Sequence, residues 1–129
     1  MAKTLSDFVD EALAVVDEME ADEAKRLLDD ADRGGWHFVD VREPDEYAAA
    51  HIPSARSFPR GFLEVKADLV HPKRDAWLED RKRPMILYCG GGHRSALATR
   101  TLLEMGFSRV VSLRGGFAEW VERKLPVER

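Results

Sequence analysis

At 129 residues, with 44% hydrophobic and 34% charged side chains, the chain has the size and balance of one soluble domain with its own core. A formal net charge of −4 offers no basic field to hold nucleic acid, and no apolar run approaches the roughly 20 residues that span a bilayer. A single cysteine excludes an internal disulfide, a dithiol cycle and a cysteine-based metal cluster.

In chain order, Leu5, Phe8, Val9, Ala12, Leu13, Val16 and Met19 recur at three- and four-residue intervals. This spacing predicts an amphipathic helix over Leu5 to Asp17, N-capped by Thr4 or Ser6. Residues 1–18 are thus expected as a helical extension packed on a domain of residues 19–129; the same apolar stripe could instead serve a homodimer or partner contact. A short strand near Val16 to Glu20 leads to a helix over Ala21 to Asp30, with Leu27 and Leu28 facing the core and Gly34-Gly35 ending it. Trp36 to Val41 is rich in aromatic and β-branched residues and reads as a strand. Pro44 suits the first turn of a helix running toward Ala50. His51 to Ala55 is a turn, Ala55 to Phe58 a brief strand and Gly61 to Val70 a helix. The charged, proline-punctuated stretch from His71 to Pro84 is expected as surface loop with a helical turn around Ala76 to Leu78.

Met85-Ile86-Leu87-Tyr88 is a short buried-strand pattern, and Ser95 to Met105 repeats apolar residues at helical spacing. Between them lies Cys89-Gly90-Gly91-Gly92-His93-Arg94. A glycine-rich turn closed by a helix N-terminus can aim its backbone N–H groups inward, all of them at the sulfur in the simplest arrangement, and a cradle of that sign favours thiolate over thiol. Gly90, Gly91 and Gly92 are free to take left-handed conformations that bring the backbone close to the sulfur. Arg94 adds the loop's one fixed cationic fork, suited to an anion or, in the plainer reading, to a surface salt bridge or helix-start contact. Beyond it, Gly106 is a C-cap candidate, Val110 to Leu113 a strand, Gly115-Gly116 a turn, and Phe117 to Lys124 a last helix stopped by Pro126. Strands alternating with helices indicate an α/β fold around a parallel sheet.

Three stretches resemble one family. Val39-Asp40-Val41-Arg42-Glu43-Pro44-x-Glu46-Tyr47 with His51-Ile52-Pro53-x-Ala55 is similar to the N-terminal signature of single-domain rhodaneses, the rhodanese-like sulfurtransferases. Tyr88-Cys89 through Arg94-Ser95-Ala96 is similar to their active-site loop, and Leu113-x-Gly115-Gly116-Phe117-x-x-Trp120 to their C-terminal signature. Together they cover residues 19 to 127 in the right order and spacing. Ala50 and Ser54 depart from the pattern, each standing where a glycine is common.

The resemblance implies a three-layer domain with a central parallel sheet of about five strands flanked by helices. It implies that Cys89 accepts sulfane sulfur as a persulfide, the loop of Gly90, Gly91, Gly92, His93, Arg94 and Ser95 binding substrate and persulfide. The donor would be a small sulfur-containing anion such as thiosulfate, the acceptor cyanide in vitro and a thiol or protein thiol in cells, with no cofactor and no metal. Asp40 and Arg42 would support loops beside the pocket, His51 would tie a turn, and Arg60 would line the pocket mouth as a second anion contact. His93 would either tune the sulfur or point to solvent, and Trp120 would belong to the core. The rim is expected from Arg56 to Phe62 and from His71 to Pro84. No nucleic acid, no membrane and a cytoplasmic location are expected; the N-terminus turns acidic at once, without the apolar core of a signal peptide. Two rivals stand beside this reading. A phosphatase of the same fold would place five residues between cysteine and arginine, where this chain has four. A protein-binding or redox-sensing module would use Cys89 as a signal.

Overall fold

The computed structural model describes residues 1–129. Five parallel strands form one sheet: β1 (Asp17–Met19), β2 (His37–Asp40), β3 (Arg56–Ser57), β4 (Met85–Tyr88) and β5 (Val110–Leu113), in the order β1-β5-β4-β2-β3. Six helices accompany them: α1 (Leu5–Leu13), α2 (Ala21–Asp29), α3 (Pro44–Ala49), α4 (Leu63–Ala67), α5 (His93–Glu104) and α6 (Gly116–Glu122). The expected three-layer α/β architecture is therefore present.

The central strand shows why. All four residues of β4 are buried, as a strand covered on both faces must be. Met85, Leu87 and then Cys89 face Ala98 and Leu102 of α5 and Leu63 and Ala67 of α4; Ile86 and Tyr88 face Ala24 of α2 and Trp120 of α6. Each large apolar side chain so buried contributes about 1.5–3 kcal/mol. Trp120 lies wholly in the core, as expected, its indole N–H donating to the Pro126 carbonyl at 2.7 Å.

Crossovers decide where chemistry can sit. The connection from β2 runs outward to β3, while that from β4 runs the other way to β5. The adjacent strands β2 and β4 therefore bound a crevice at their carboxyl ends, the place where open parallel sheets put ligands. Cys89 and Asp40 are at those ends.

Several expected boundaries shift. α1 stops at Leu13 instead of Asp17, because Val16 turns into the core and β1 starts at Asp17 as an edge strand on β5. Its N-cap is Thr4, not Ser6: Thr4 Oγ1 accepts from the Asp7 N–H and Asp7 Oδ2 from the Thr4 N–H. α1 packs on α5 and buries Val9 and Ala12, leaving Leu5 and Phe8 exposed. α2 ends at Asp29, before Gly34-Gly35, which instead belong to a separate single turn over Arg33–Gly35. α4 is half its expected length: a tight turn over Arg60–Phe62 precedes it, and the chain extends at Asp68, leaving Leu69 and Val70 exposed. α5 begins at His93, two residues early, and α6 at Gly116. Ser54 takes φ +66°, the left-handed region, which explains why a glycine is common there; Ala50 is extended at φ −172°, which any residue adopts.

At the amino ends of the strands, opposite the end that carries the cysteine, the ring of His37 meets Trp77 edge-on at 5.3 Å, and the guanidinium carbons of Arg56 and Arg83 lie 4.3 and 4.5 Å from the same indole. Burial first, then the charges of Arg83, Arg56 and Arg33, hold the imidazole below its ordinary value of 6.5. The unfolded chain thus takes up this proton more readily than the folded one. The neutral ring contributes stability that is complete above pH 6.5 and is lost as pH falls through the depressed folded value. Thermal melts from pH 7.5 down to pH 5 (approximate range) should show a steeper loss of Tm in the parent than in His37→Phe; parallel curves would refute this.

Candidate active site

Cys89 follows β4 directly and is 1% exposed. Its Sγ accepts from the backbone N–H of Gly92 at 3.1 Å and of Ser95 at 3.3 Å, and the thiol donates to Ser95 Oγ at 3.5 Å. Two amides, not the whole loop, are aimed at the sulfur. They reach it because Gly92 adopts φ +103° as the N-cap of α5, which turns its own N–H and the first turn of the helix inward. Of the three consecutive glycines only Gly92 needs a left-handed backbone; Gly90 and Gly91 do not.

A buried hydroxyl pair backs the sulfur. Ser95 Oγ lies 2.8 Å from Ser112 Oγ, and both serines are fully buried. Ser112 comes from β5, so the neighbouring strand fixes the rotamer of the hydroxyl that touches Sγ. The only sequence cue to Ser112 is a polar residue in the otherwise apolar strand Val110 to Leu113.

The loop's shape is set from behind by α6. Phe117 N–H donates to the Cys89 carbonyl at 2.7 Å and Ala118 N–H to the Gly90 carbonyl at 2.9 Å. Those two hydrogen bonds tie the first two carbonyls of the loop to the start of α6. Gly116 makes this approach possible: at φ +60°, a Cβ would sit 2.6 Å from Gly90 O and 2.7 Å from Cys89 O.

Arg94 does not stand free. Its Nη1 donates to Glu46 Oε1 at 2.8 Å and Nη2 to Oε2 at 3.4 Å, across a sequence separation of 48 residues. Glu46 Oε1 also accepts from Glu43 N–H at 2.9 Å, so the carboxylate is held in the capping box of α3. The ion pair keeps the Glu46 carboxyl below the usual range and raises the Arg94 guanidinium.

Asp40 and Arg42 form a buried pair with Nη2 2.7 Å from Oδ2, and Nη2 also donates to the Ala50 carbonyl at 2.7 Å. The guanidinium lies 4.2 Å from the Phe117 ring centre, which ties the end of β2 to the start of α6. Neither residue hydrogen-bonds the cysteine. His51 stacks on Tyr47 at 3.9 Å and places its ring nitrogens 3.0 Å from Tyr47 O and 3.2 Å from Glu128 Oε2, pinning the C-terminal segment. Arg60 turns away from the loop: its guanidinium binds Glu64 at 2.9 Å and Thr101 at 3.2 Å, in the second half of α5. His93 is exposed. It lines, with Gly91, Arg114 and Leu5, Val9 and Leu13 of α1, an open cavity of about 540 Å³ beside the loop. The wall of that cavity comes from residues 1–18 and the Arg114 turn. No three His, Cys, Asp or Glu side chains converge in a way that would hold a metal ion, and no helix is long and apolar enough to cross a membrane.

A buried cysteine stands at the carboxyl end of a central parallel strand, cradled by two loop amides and followed by arginine, in the crevice where open parallel sheets hold ligands. The chain belongs to the rhodanese-like domain family, whose pattern matches residues 20–123. A sulfurtransferase of Allochromatium vinosum is 30% identical over 113 residues, covering 88% of this chain and 95% of that one. A protein of unknown function from Rhodopseudomonas palustris, described as a possible tyrosine phosphatase, superposes with a TM-score of 0.92 at 29% identity over 99% of this chain and 96% of that one. The human single-domain sulfurtransferase TSTD1 shares the fold, with a TM-score of 0.71 at 24% identity over 82% and 96% of the two chains.

Proposed function

We propose that this protein is a rhodanese-type sulfurtransferase that carries sulfane sulfur as a persulfide on Cys89. The observation that carries the reading is the sulfur itself: a lone cysteine, 1% exposed, with the N–H groups of Gly92 and Ser95 aimed at Sγ. A merely structural thiol needs neither the left-handed Gly92 nor two donors.

With thiosulfate, the Cys89 thiolate attacks the outer sulfur. The new Sγ–S bond forms as the bond to the sulfonate sulfur breaks, and sulfite leaves with that electron pair. Three negative charges enter the step and three leave it. The amides of Gly92 and Ser95 stand where that charge gathers, fixed before reaction and therefore needing no reorganisation. In the second half-reaction a nucleophile, cyanide in the test tube or a thiolate in a cell, attacks the persulfide's outer sulfur and the Cys89 thiolate departs. One cysteine suffices, because sulfur is parked on it between two encounters. The Ser95–Ser112 pair holds a hydroxyl beside Sγ of the free cysteine.

The test is intact-protein mass spectrometry. Incubation with thiosulfate should add the mass of one sulfur atom, and cyanide should remove it with release of thiocyanate. An unchanged mass with thiosulfate and with alkyl hydropersulfides, together with hydrolysis of an aryl phosphate, would replace sulfur transfer by phosphatase chemistry.

A further inference from the structure

We propose that Glu46 sets the donor class of the Cys89 site: by pairing with Arg94 it cancels the loop's one cationic charge and favours alkyl persulfides over the thiosulfate dianion. The proposal rests on the sulfur-transfer reading above and concerns what that site accepts.

The pair is built into the fold. Arg94 reaches back over the first glycine of the loop, where a Cβ on Gly90 would lie 3.3 Å from its Nη2. Glu46 meets it with both oxygens, and the second hydrogen bond from Glu43 N–H fixes the carboxylate at the start of α3, with Pro44 fixing the helix entry. Glu43 adds a further negative charge that acts on the same guanidinium. A sulfonate that sought Arg94 would have to displace an oriented carboxylate or bind a guanidinium whose charge is already cancelled.

The other arginines at this end of the sheet are committed in the same way. Arg42 is buried against Asp40, Arg60 is held by Glu64, and Arg114 is held by Glu18 and Glu20. Every guanidinium around the loop is thus matched by a carboxylate. The remaining positive potential is that of the amides on Sγ, which suits one negative charge on a sulfane sulfur. Thiosulfate brings two, and the carboxylates of Glu46 and Glu43 that act on Arg94 disfavour that dianion there. An alkyl hydropersulfide carries one at most. Its reaction balances without help: the Cys89 thiolate attacks the outer sulfur, the S–S bond of the donor breaks, the alkyl thiolate leaves with the electron pair, and the proton stays on the transferred sulfur.

Glu46→Gln tests this cleanly, because glutamine keeps the side-chain oxygen that accepts from Glu43 N–H while losing the charge. The measurement is the second-order rate of sulfur loading on Cys89, read by intact mass, with thiosulfate and with ethyl hydropersulfide as donors. The thiosulfate-to-hydropersulfide rate ratio should rise about tenfold in the variant, the scale of removing one partly screened charge at contact range. The gain should vanish when Arg94→Gln is added. Raising ionic strength should speed thiosulfate loading in the parent and slow it in Glu46→Gln. An unchanged ratio, or a ratio that falls, would overturn the assignment and make Glu46 a support that presents Arg94 to thiosulfate. If neither donor loads sulfur on the parent, the sulfur-transfer reading itself fails, and this proposal with it.

Discussion

Cys89→Ser should leave the fold standing and abolish sulfur loading. Serine matches the thiol closely in volume, and its hydroxyl can accept from the Gly92 and Ser95 N–H groups that now point at Sγ. What it lacks is a stable anion and a soft nucleophile at neutral pH, and no second thiol exists to take over. Turnover with thiosulfate or a hydropersulfide and cyanide should drop by on the order of a thousandfold or more. The mass gain on incubation with either donor should disappear. Stability should change by only about 1–2 kcal/mol, because Cys89 sits in an apolar cluster with Leu87, Ala98 and Val41 while its sulfur already has polar partners. A Cys89→Ser protein that still gains sulfur would show that the accepting group lies elsewhere and would remove the basis of the proposed function.

The parts of this site that could be read from the sequence are the local ones. Met85 to Tyr88 is apolar without a break because both faces of β4 are covered, and the lone cysteine at its end stands before three glycines. The order of those pieces required no tertiary knowledge. Which amides reach the sulfur was a different matter. It depends on the φ of Gly92 and on the exact start of α5, and periodicity pointed to Ser95 where the helix begins at His93. Helices α1 and α4 are shorter than their apolar patterns for a related reason. Val16 continues the apolar pattern of α1 yet is buried beyond the helix end, directly before β1, and Leu69 and Val70 continue that of α4 while standing in solvent. Hydrophobic spacing records what could be buried, and the sheet then decides what is.

The long-range partners were hidden more deeply. Glu46 lies in a recognisable signature, but its role appears only when β2 and β4 become neighbours and bring α3 to the loop. Arg94 could be read as a sulfonate fork or as half of an ion pair; without the strand order nothing chose between them. Arg60, after Pro59, is expected at the pocket mouth, and its side chain binds Glu64 one turn along and Thr101 on α5. In each case the side chain's charge was legible and its partner was not.

Gly116 gives the sharpest case, and Gly116→Ala should be the most damaging small substitution near the site. Two costs combine there. An L-residue at φ +60° pays about 1–2 kcal/mol for the left-handed backbone. The new Cβ would also sit 2.6 Å from Gly90 O, 2.7 Å from Cys89 O and 2.8 Å from Gly90 C, all of them backbone atoms that cannot rotate away. Relief requires moving α6 off the loop, which breaks the hydrogen bonds from Phe117 N–H and Ala118 N–H at about 0.5–1.5 kcal/mol each. The sum is about 2–5 kcal/mol, or a Tm lower by roughly 6–20 °C for a domain of this size. Gly106→Ala supplies the control for the backbone cost alone: its φ is +98°, but nothing lies within 4 Å of the added methyl, so the loss should be near 1 kcal/mol. Gly91→Ala, with neither positive φ nor a neighbour within 4 Å, should melt like the parent. Below its melting point Gly116→Ala should also load sulfur more slowly, since the carbonyls that α6 holds are those of Cys89 itself and of the first loop glycine. A Gly116→Ala protein that melts with Gly106→Ala and loads sulfur at the parental rate would mean that α6 does not set the loop, and that the cradle is held by Gly92 and the start of α5 alone.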